Sequence, residues 1–455
     1  MRENPERPVG RLTISALAVA FAAYFLILSA LQPARAAVDI QEVKSDAGIT
    51  AWLVEDYTIP LIAIRFSFEG GATQDPAGKE GLVNLMSGLF DEGAADLDAD
   101  AFQLALDDAG AEMRFGAGPD AMSGSMRLLS DKRDEALHLL DIAINRPRFD
   151  QAPIDRIRSQ IVAGIAARAR DPQSMAGIAF AKALYGDHPY GRRAEGTPET
   201  LATITADDLR AVHKRIFARD NLKIGVVGVI DAATLRGVLD RLFGGLPAKA
   251  ELTEVPHVTP KLDQVVRIDY PLPQTTIQLA YPGIERKDPE FFAAYLMNYT
   301  LGGSTFTSRL FSEVRDKRGL AYGIDSSLVN QRHAESLTIG TGTASERATE
   351  TLGVIRDVVK RLAEEGPTEA ELEGAKRYLV GSYAINNLDS SAAIAETLVQ
   401  LQVEDLGKDY IERRPAMIEA VTREQATAAA KRLLSAEPAV LILGPAAKDA
   451  AKEGN

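Results

Sequence analysis

Residues 81–93, GLVNLMSGLFDEG, carry apolar side chains at helical spacing. The apolar positions recur at i, i+3, i+4 and i+7: Leu82, Leu85, Met86 and Leu89. This pattern predicts one amphipathic helix over residues 81–93 that buries one face in a core. The opposite face of such a helix is ordinarily charged, but here it holds three small neutral residues: Asn84, Ser87 and Gly88. The face is therefore neither core nor ordinary solvated surface.

The pattern around this helix occurs twice in the chain. In residues 60–76, an alternating strand, a Gly-Gly turn and an Asp-Pro pair at Asp75 precede the helix. In residues 275–289, a strand, a Pro-Gly turn and an Asp-Pro pair at Asp288 precede a second apolar helix, 290–303. The order of elements is the same in both halves.

The two halves also end alike, in residues 204–228 and 421–444. Each end has a threonine N-cap, a helix that contains Lys-Arg, a short turn and an apolar strand. Thr205 and Thr422 lie 217 residues apart, close to the 213 residues between the two Asp-Pro pairs. Because the offset is nearly constant, the sequence predicts a duplicated domain.

Residues 246–266 contain three prolines and scattered charge without periodicity, which indicates a linker. It separates a first domain over residues 37–245 from a second over residues 267–455. Helical periodicity also predicts four further helices, at 133–146, 154–170, 346–364 and 368–385. Because strands and helices are partly segregated rather than strictly alternating, the expected fold class is α+β, with mixed or antiparallel sheets.

The N-terminus has the pattern of an export signal. Three arginines precede the apolar run 12–31, and Ala34-Arg35-Ala36 has the small-x-small form of a cleavage site. We therefore expect residues 1–36 to be a signal peptide that sends the protein to the periplasm. An uncleaved membrane anchor is the alternative, since the run is long enough to span a bilayer. After removal of the signal, no association with a membrane is expected.

The composition excludes several kinds of chemistry. The 455 residues include no cysteine, which rules out disulfides, cysteine nucleophiles and thiolate metal sites. Lysine and arginine number 51 against 64 acidic residues, a net charge of −13, so nucleic acid is not an expected partner. The five histidines are scattered singly, and no two of them have the spacing of a ligand pair on one helix.

The stretch GGATQDPAGKEGLVNLMSGLFDEG, residues 70–93, resembles the inverzincin family of zinc metallopeptidases. This family includes pitrilysin, insulin-degrading enzyme and the mitochondrial processing peptidase. Its His-x-x-Glu-His helix places two zinc ligands at i and i+4 and a glutamate that activates water. The matching positions here are Asn84, Ser87 and Gly88, none of which can bind zinc or activate water.

The resemblance also locates a third family ligand, a glutamate on a later helix. The matching stretch is DRIRSQIVAGIAARARDP, residues 155–172, in which the ligand position falls near Gly164 and no glutamate occurs. The resemblance therefore implies a degenerate metal site. We expect the chain itself to bind no cofactor and to have no catalytic residues of its own.

The second half keeps a different part of the family pattern. Residues 302–327, GGSTFTSRLFSEVRDKRGLAYGIDSS, resemble the family's substrate-binding segment, in which an arginine and a tyrosine seven residues later face the zinc. The matching residues are Arg315 and Tyr322. The apolar spacing predicts Arg315 on a helix that ends at Gly319, and Tyr322 on the turn or strand beyond. A guanidinium and a phenol can hold a substrate carbonyl and stabilise an oxyanion.

The resemblance implies a substrate-binding, non-catalytic subunit of a periplasmic heterodimeric zinc metallopeptidase. In this family four α+β domains form a clamshell, so two such domains would be half of one. The implied partners are a homologous subunit that carries the zinc and an unstructured peptide substrate. The alternative is an enzymatically inactive scaffold or peptide-binding protein with the same fold. A self-sufficient zinc peptidase would need a metal site that these patterns do not reveal.

Overall fold

Two mixed β-sheets organise the computed structural model, which describes residues 38–303 and 306–446. The strands are, in chain order, β1 (Gln41–Lys44), β2 (Thr50–Glu55), β3 (Leu61–Glu69), β4 (Glu112–Ala117), β5 (Ala121–Leu129), β6 (Leu222–Gly228), β7 (Val265–Asp269), β8 (Gln274–Pro282), β9 (Ala321–Gln331), β10 (Ala334–Ala344) and β11 (Ala439–Gly444). The first sheet has the spatial order β1-β2-β6-β3-β5-β4, and the second has the order β7-β11-β8-β10-β9.

The two sheets share one topology. In the first sheet, β6 pairs parallel to β2 and antiparallel to β3, and β5 then joins β3 to β4. In the second, β11 pairs parallel to β7 and antiparallel to β8, and β10 joins β8 to β9. Among the strands of the described residues, β1 alone lacks a counterpart in the second sheet. The predicted α+β fold with a duplicated mixed sheet is confirmed.

The helices complete each copy. In chain order they are α1 (Leu82–Ser87), α2 (Ala99–Asp108), α3 (Arg133–Asn145), α4 (Gln151–Arg168), α5 (Pro172–Tyr185), α6 (Pro198–Ala202), α7 (Ala206–Ile216), α8 (Ala232–Phe243), α9 (Phe291–Asn298), α10 (Ala348–Glu365), α11 (Glu369–Asn387), α12 (Ser391–Val403), α13 (Tyr410–Glu419) and α14 (Arg423–Leu434). The four long helices predicted from periodicity are α3, α4, α10 and α11, and their ends differ from the prediction by at most three residues.

The predicted threonine caps are present at the start of α7 and α14. The Thr205 hydroxyl accepts a hydrogen bond from the amide of Asp208 (3.3 Å), and the Thr422 hydroxyl accepts one from the amide of Gln425 (3.3 Å). In both cases the side chain three residues on bonds back to the threonine amide, which completes a capping box. The same local chemistry therefore starts the helix that precedes the last strand of each sheet.

Each sheet is covered on one face by a helix from the other half of the chain. Helix α12 packs on β3 and β6 of the first sheet, where Leu398 joins a cluster with Trp52 and Val227. Helix α5 packs on β7 and β11 of the second sheet, where Phe180 lies in a cluster with Leu441. This reciprocal exchange ties the two halves together through buried apolar surface.

The contact of α12 with the first sheet requires a glycine. A Cβ atom on Gly225 of β6 would lie 2.5 Å from the carbonyl oxygen of Ala395 and 2.9 Å from the Cβ of Leu398. The side chain of Gln402 donates a hydrogen bond to the carbonyl oxygen of Ile224 (2.8 Å). The backbones of α12 and β6 are therefore so close that only a residue without a Cβ atom fits at position 225.

The segment predicted as a linker, residues 246–266, contains no helix or strand before Val265, where β7 begins. Its amide at Thr253 donates to the side chain of Gln74 in the first half (2.7 Å). Its amide at Val258 donates to the carbonyl of His333 in the second half (2.8 Å). The domain limits at 37–245 and 267–455 stay predictions.

The expected signal peptide, residues 1–36, lies outside the described residues. Within the part of the chain that the structure describes, none of the helices combines the length and the apolar character needed to cross a membrane.

Candidate functional site

Helix α1 is shorter than predicted. The prediction of a single helix over residues 81–93 is wrong, because α1 ends at Ser87 and Gly88 is its C-cap. The amide of Gly88 donates to the carbonyl of Leu85 (3.2 Å), and the amide of Leu89 donates to the carbonyl of Met86 (3.0 Å). These hydrogen bonds join residues three apart rather than four, so the backbone leaves the α-helical pattern here. The apolar side chains of the segment are nevertheless buried as predicted. The glycine ends the helix rather than interrupting it.

Asp75 fixes the start of α1. Its buried carboxylate accepts hydrogen bonds from the amides of Gly81 (2.7 Å) and Val83 (2.9 Å). Burial raises the pKa of Asp75 to about 7, although the amide hydrogen bonds favour its charged form. Gly81 has a φ of 94° and packs closely, because a Cβ there would lie 2.5 Å from the carbonyl of Glu195. Asp75 and Gly81 therefore fix the position at which α1 begins.

The unusual face of α1 packs against α4. Asn84 and Ser87 are half-buried, and the Ser87 hydroxyl donates to the carbonyl of Asn84 (2.8 Å). A Cβ on Gly88 would lie 3.1 Å from Cγ2 of Ile157 on α4. The face is therefore enclosed by a neighbouring helix, and it presents no imidazole or carboxylate to a metal ion.

Gly164 lies on α4, two helical turns beyond Ile157 and thus on the same side. A Cβ on Gly164 would lie 3.6 Å from Nη1 of Arg168, whose guanidinium also approaches the carboxylate of Glu195 (3.4 Å). Arg168 and Glu195 carry opposite charges that largely offset each other next to Gly164. Asn84, Ser87, Gly88 and Gly164 offer no imidazole or carboxylate, and their correspondence to the family's zinc site stays a prediction.

We expect the two faces of this segment to respond differently to mutation. Leu85→Ala should lower the free energy of unfolding by about 2–5 kcal/mol, because it empties a fully buried position. Gly88→Ala should change it by less than about 1 kcal/mol, since Ile157 must move by only a few tenths of an ångström. Thermal and urea unfolding of the two variants check this. A larger loss for Gly88→Ala would show that the face is rigidly packed.

Arg315 and Tyr322 lie side by side. Arg315 is on the π-helical turn Phe311–Asp316, and Tyr322 is the second residue of β9. The Cζ atom of Arg315 lies 5.2 Å from the ring centre of Tyr322 and 4.6 Å from that of Phe311. Gly319, with a φ of 57°, ends the helical turn and lets the chain reverse into the strand. The structure therefore brings together the two residues that the sequence predicts.

The apolar side chains beside the pair are buried, whereas Tyr322 is exposed. Leu310, Phe311 and Val314 are at most 3% exposed, whereas Tyr322 is 89% exposed. Among the described residues, neither the Arg315 guanidinium nor the Tyr322 hydroxyl makes a hydrogen bond or an ion pair. An exposed phenol and a partly buried guanidinium thus lie side by side, and their donors make no hydrogen bond among the described residues, so both are available to a ligand or another protein.

A groove lies on the second sheet next to α5. Its volume is about 560 Å³, and small or polar residues form much of its wall: Gln173, Gln274, Thr276, Gln278, Gly323, Asp325, Gly340 and Gly342. Burial raises the pKa of Asp325 at this wall. With three glycines and no aromatic side chain, the groove leaves the sheet surface accessible to an extended chain.

Fold and site together define a peptidase-like α+β protein without a metal-binding helix. The family model described as "Peptidase M16 inactive domain" matches residues 203–379. The crystal structure of a peptidase M16 inactive domain from Pseudomonas fluorescens is 31% identical, with a TM-score of 0.83, over 90% of this chain and 98% of that one. The chain belongs to the M16 peptidase family, which confirms the resemblance to zinc metallopeptidases.

Two other proteins are similar over most of the chain. The non-peptidase homolog YmxG of Helicobacter pylori is 23% identical over 82% of this chain and 86% of its own length. The periplasmic protease PqqL of Escherichia coli shares the fold, with a TM-score of 0.77 at 16% identity, over 90% of this chain but only 46% of its own. The inactive-domain match and these relatives describe a peptidase-like member of the M16 family.

Proposed function

We propose that this protein is the substrate-binding, non-catalytic subunit of a periplasmic heterodimeric zinc metallopeptidase. One observation carries the proposal. An exposed Tyr322 lies beside a partly buried Arg315, and neither makes a hydrogen bond among the described residues, while α1 presents no imidazole or carboxylate for zinc. Two such donors serve catalysis only if another chain brings the metal and the scissile carbonyl to them.

The partner in this proposal is a homologous subunit of similar size with an intact His-x-x-Glu-His helix. The match to 46% of PqqL supports this size, because two chains of this length would make up a molecule of that kind. The substrate is an unstructured peptide. Extended peptides bind through backbone hydrogen bonds, and the glycine-rich groove on the second sheet supports such binding.

The periplasmic location rests on the N-terminal pattern of residues 1–36 and on the absence of cysteine. A chain without thiols folds in an oxidising compartment with no risk of incorrect disulfides. Cleavage after Ala36 would release it from the membrane.

The decisive experiment compares the purified chain alone with the chain mixed with its zinc-bearing homologue. We expect no hydrolysis of an unstructured fluorogenic peptide by the chain alone, and hydrolysis by the mixture that exceeds that of the homologue alone. Size-exclusion chromatography should show a 1:1 complex. A stable complex without any gain in hydrolysis would favour the inactive scaffold instead.

A further inference from the structure

Three side chains with metal-binding donor atoms meet away from α1 and α4: His257, Glu285 and Glu335. One donor atom from each, an imidazole nitrogen or a carboxylate oxygen, lies within 4.8 Å of the other two. Nε2 of His257 is 2.9 Å from Oε2 of Glu335. No other group of this kind occurs in residues 38–303 and 306–446. We propose that these three residues bind a divalent transition-metal ion of the Zn²⁺ class.

Hydrogen bonds hold the three segments that supply the ligands. The amide of Val258, directly after the histidine, donates to the carbonyl of His333 (2.8 Å), two residues before the second glutamate. The side chain of Asn330 donates to the carbonyl of Ile284, directly before the first glutamate. Asn330 is also the cross-strand neighbour of Glu335 in the pairing of β9 with β10. The ligand positions are therefore largely preorganised.

The charge at this cluster favours a cation. Three of the cationic side chains nearby form ion pairs with other carboxylates: Arg286 with Glu404 (3.0 Å), Lys287 with Asp405 (2.8 Å) and Arg332 with Glu69 (2.7 Å). In the described part of the chain, the Glu285 carboxylate has no hydrogen-bond or ion-pair partner, and that of Glu335 has only His257. With a neutral imidazole, two adjacent carboxylates leave two negative charges that a divalent ion would balance.

The donor set indicates the class of metal. Imidazole nitrogen together with carboxylate oxygen suits Zn²⁺, Co²⁺ or Ni²⁺, whereas Mg²⁺ and Ca²⁺ prefer oxygen ligands alone. All three residues line a cavity of about 1000 Å³, so water has access to the remaining coordination positions. The bound ion would join the segment before β7 to the ends of β8 and β10. This site is independent of the proposed peptidase role.

The test is a titration of the full chain with ZnCl₂ at pH 7.5, where an ordinary imidazole is neutral. We expect one Zn²⁺ per chain by calorimetry and a higher unfolding temperature with the metal. His257→Gln and Glu285→Gln should each weaken Zn²⁺ binding by about tenfold or more. His138→Gln, which changes an exposed histidine on α3, should leave the affinity unchanged.

Glu285→Gln is the sharpest variant, because a side chain without described partners can be changed without loss of the metal-free fold. Unfolding in the presence of a chelator should therefore be the same for this variant and the wild type. The proposal is overturned by a folded wild-type chain that shows no saturable Zn²⁺ binding. It is equally overturned by binding that survives both His257→Gln and Glu285→Gln, or that disappears in His138→Gln.

Discussion

Tyr322→Phe should lower the turnover of the proposed complex with a zinc-bearing subunit by about 10²- to 10³-fold, the usual effect of removing one oxyanion donor. The phenol is 89% exposed and makes no hydrogen bond among the described residues, so it is free to bond to a substrate oxygen. Arg315→Ala should have an effect of similar size, since its guanidinium lies against the Tyr322 ring and would share the same substrate group. Cleavage of an unstructured peptide by the complex measures both changes.

Two controls separate catalysis from folding and assembly. Tyr378→Phe removes another exposed phenol, one that packs on Tyr299, and it should leave turnover unchanged. Neither Tyr322→Phe nor Arg315→Ala should alter thermal unfolding or the affinity for the zinc-bearing subunit by much. Full turnover with both variants, at unchanged complex formation, would refute the proposed role and favour the scaffold.

Gly225→Ala should lower the free energy of unfolding of the described fold. Overpacking costs about 1–3 kcal/mol, and we expect a value near the upper end of this range. The new Cβ would meet a backbone carbonyl at 2.5 Å, and backbone cannot rotate away as a flexible side chain can. Helix α12 would have to move off the first sheet, with loss of the buried contacts of Leu398. Urea unfolding, followed by circular dichroism, measures the change.

Gly237→Ala is the matched control for this substitution. A Cβ on Gly237 of α8 meets no other atom within 4 Å, so alanine there should be neutral or should stabilise the helix by up to about 1 kcal/mol. If Gly225→Ala proved as harmless as Gly237→Ala, the close approach of α12 to β6 would not contribute to stability.

Local signals in the sequence predicted the four long helices and the repeat of the sheet correctly. Thr205 and Thr422 carry their own cap chemistry, and the long amphipathic helices have a period that needs no tertiary information. The end of α1 was missed because apolar residues after Gly88 continue the helical spacing although the backbone does not. A turn can bury the side chain of Leu89 as well as a helix can, so its apolar character does not show where the helix ends.

The sequence patterns did not predict that α5 and α12 each pack on the sheet of the other half of the chain. The apolar helix faces that contain Phe180 and Leu398 predict that these side chains are buried. The pattern does not show against which sheet each helix packs. The family resemblance identifies the Arg315–Tyr322 pair, but the exposure of Tyr322 follows only from the structure. His257, Glu285 and Glu335 were missed because their ligand spacing exists only in three dimensions. The expectation of a chain without metal considered only ligands at helical spacing.

The shared covering of the two sheets also determines when the chain can fold during synthesis. Strand β6 is complete at Gly228, but the helix that covers it ends at Val403, so a growing chain keeps an apolar sheet face open until most of the second half has been made. Contacts so distant in sequence give a high contact order and slow folding. Until then, the exposed apolar face raises the risk of aggregation of the growing chain.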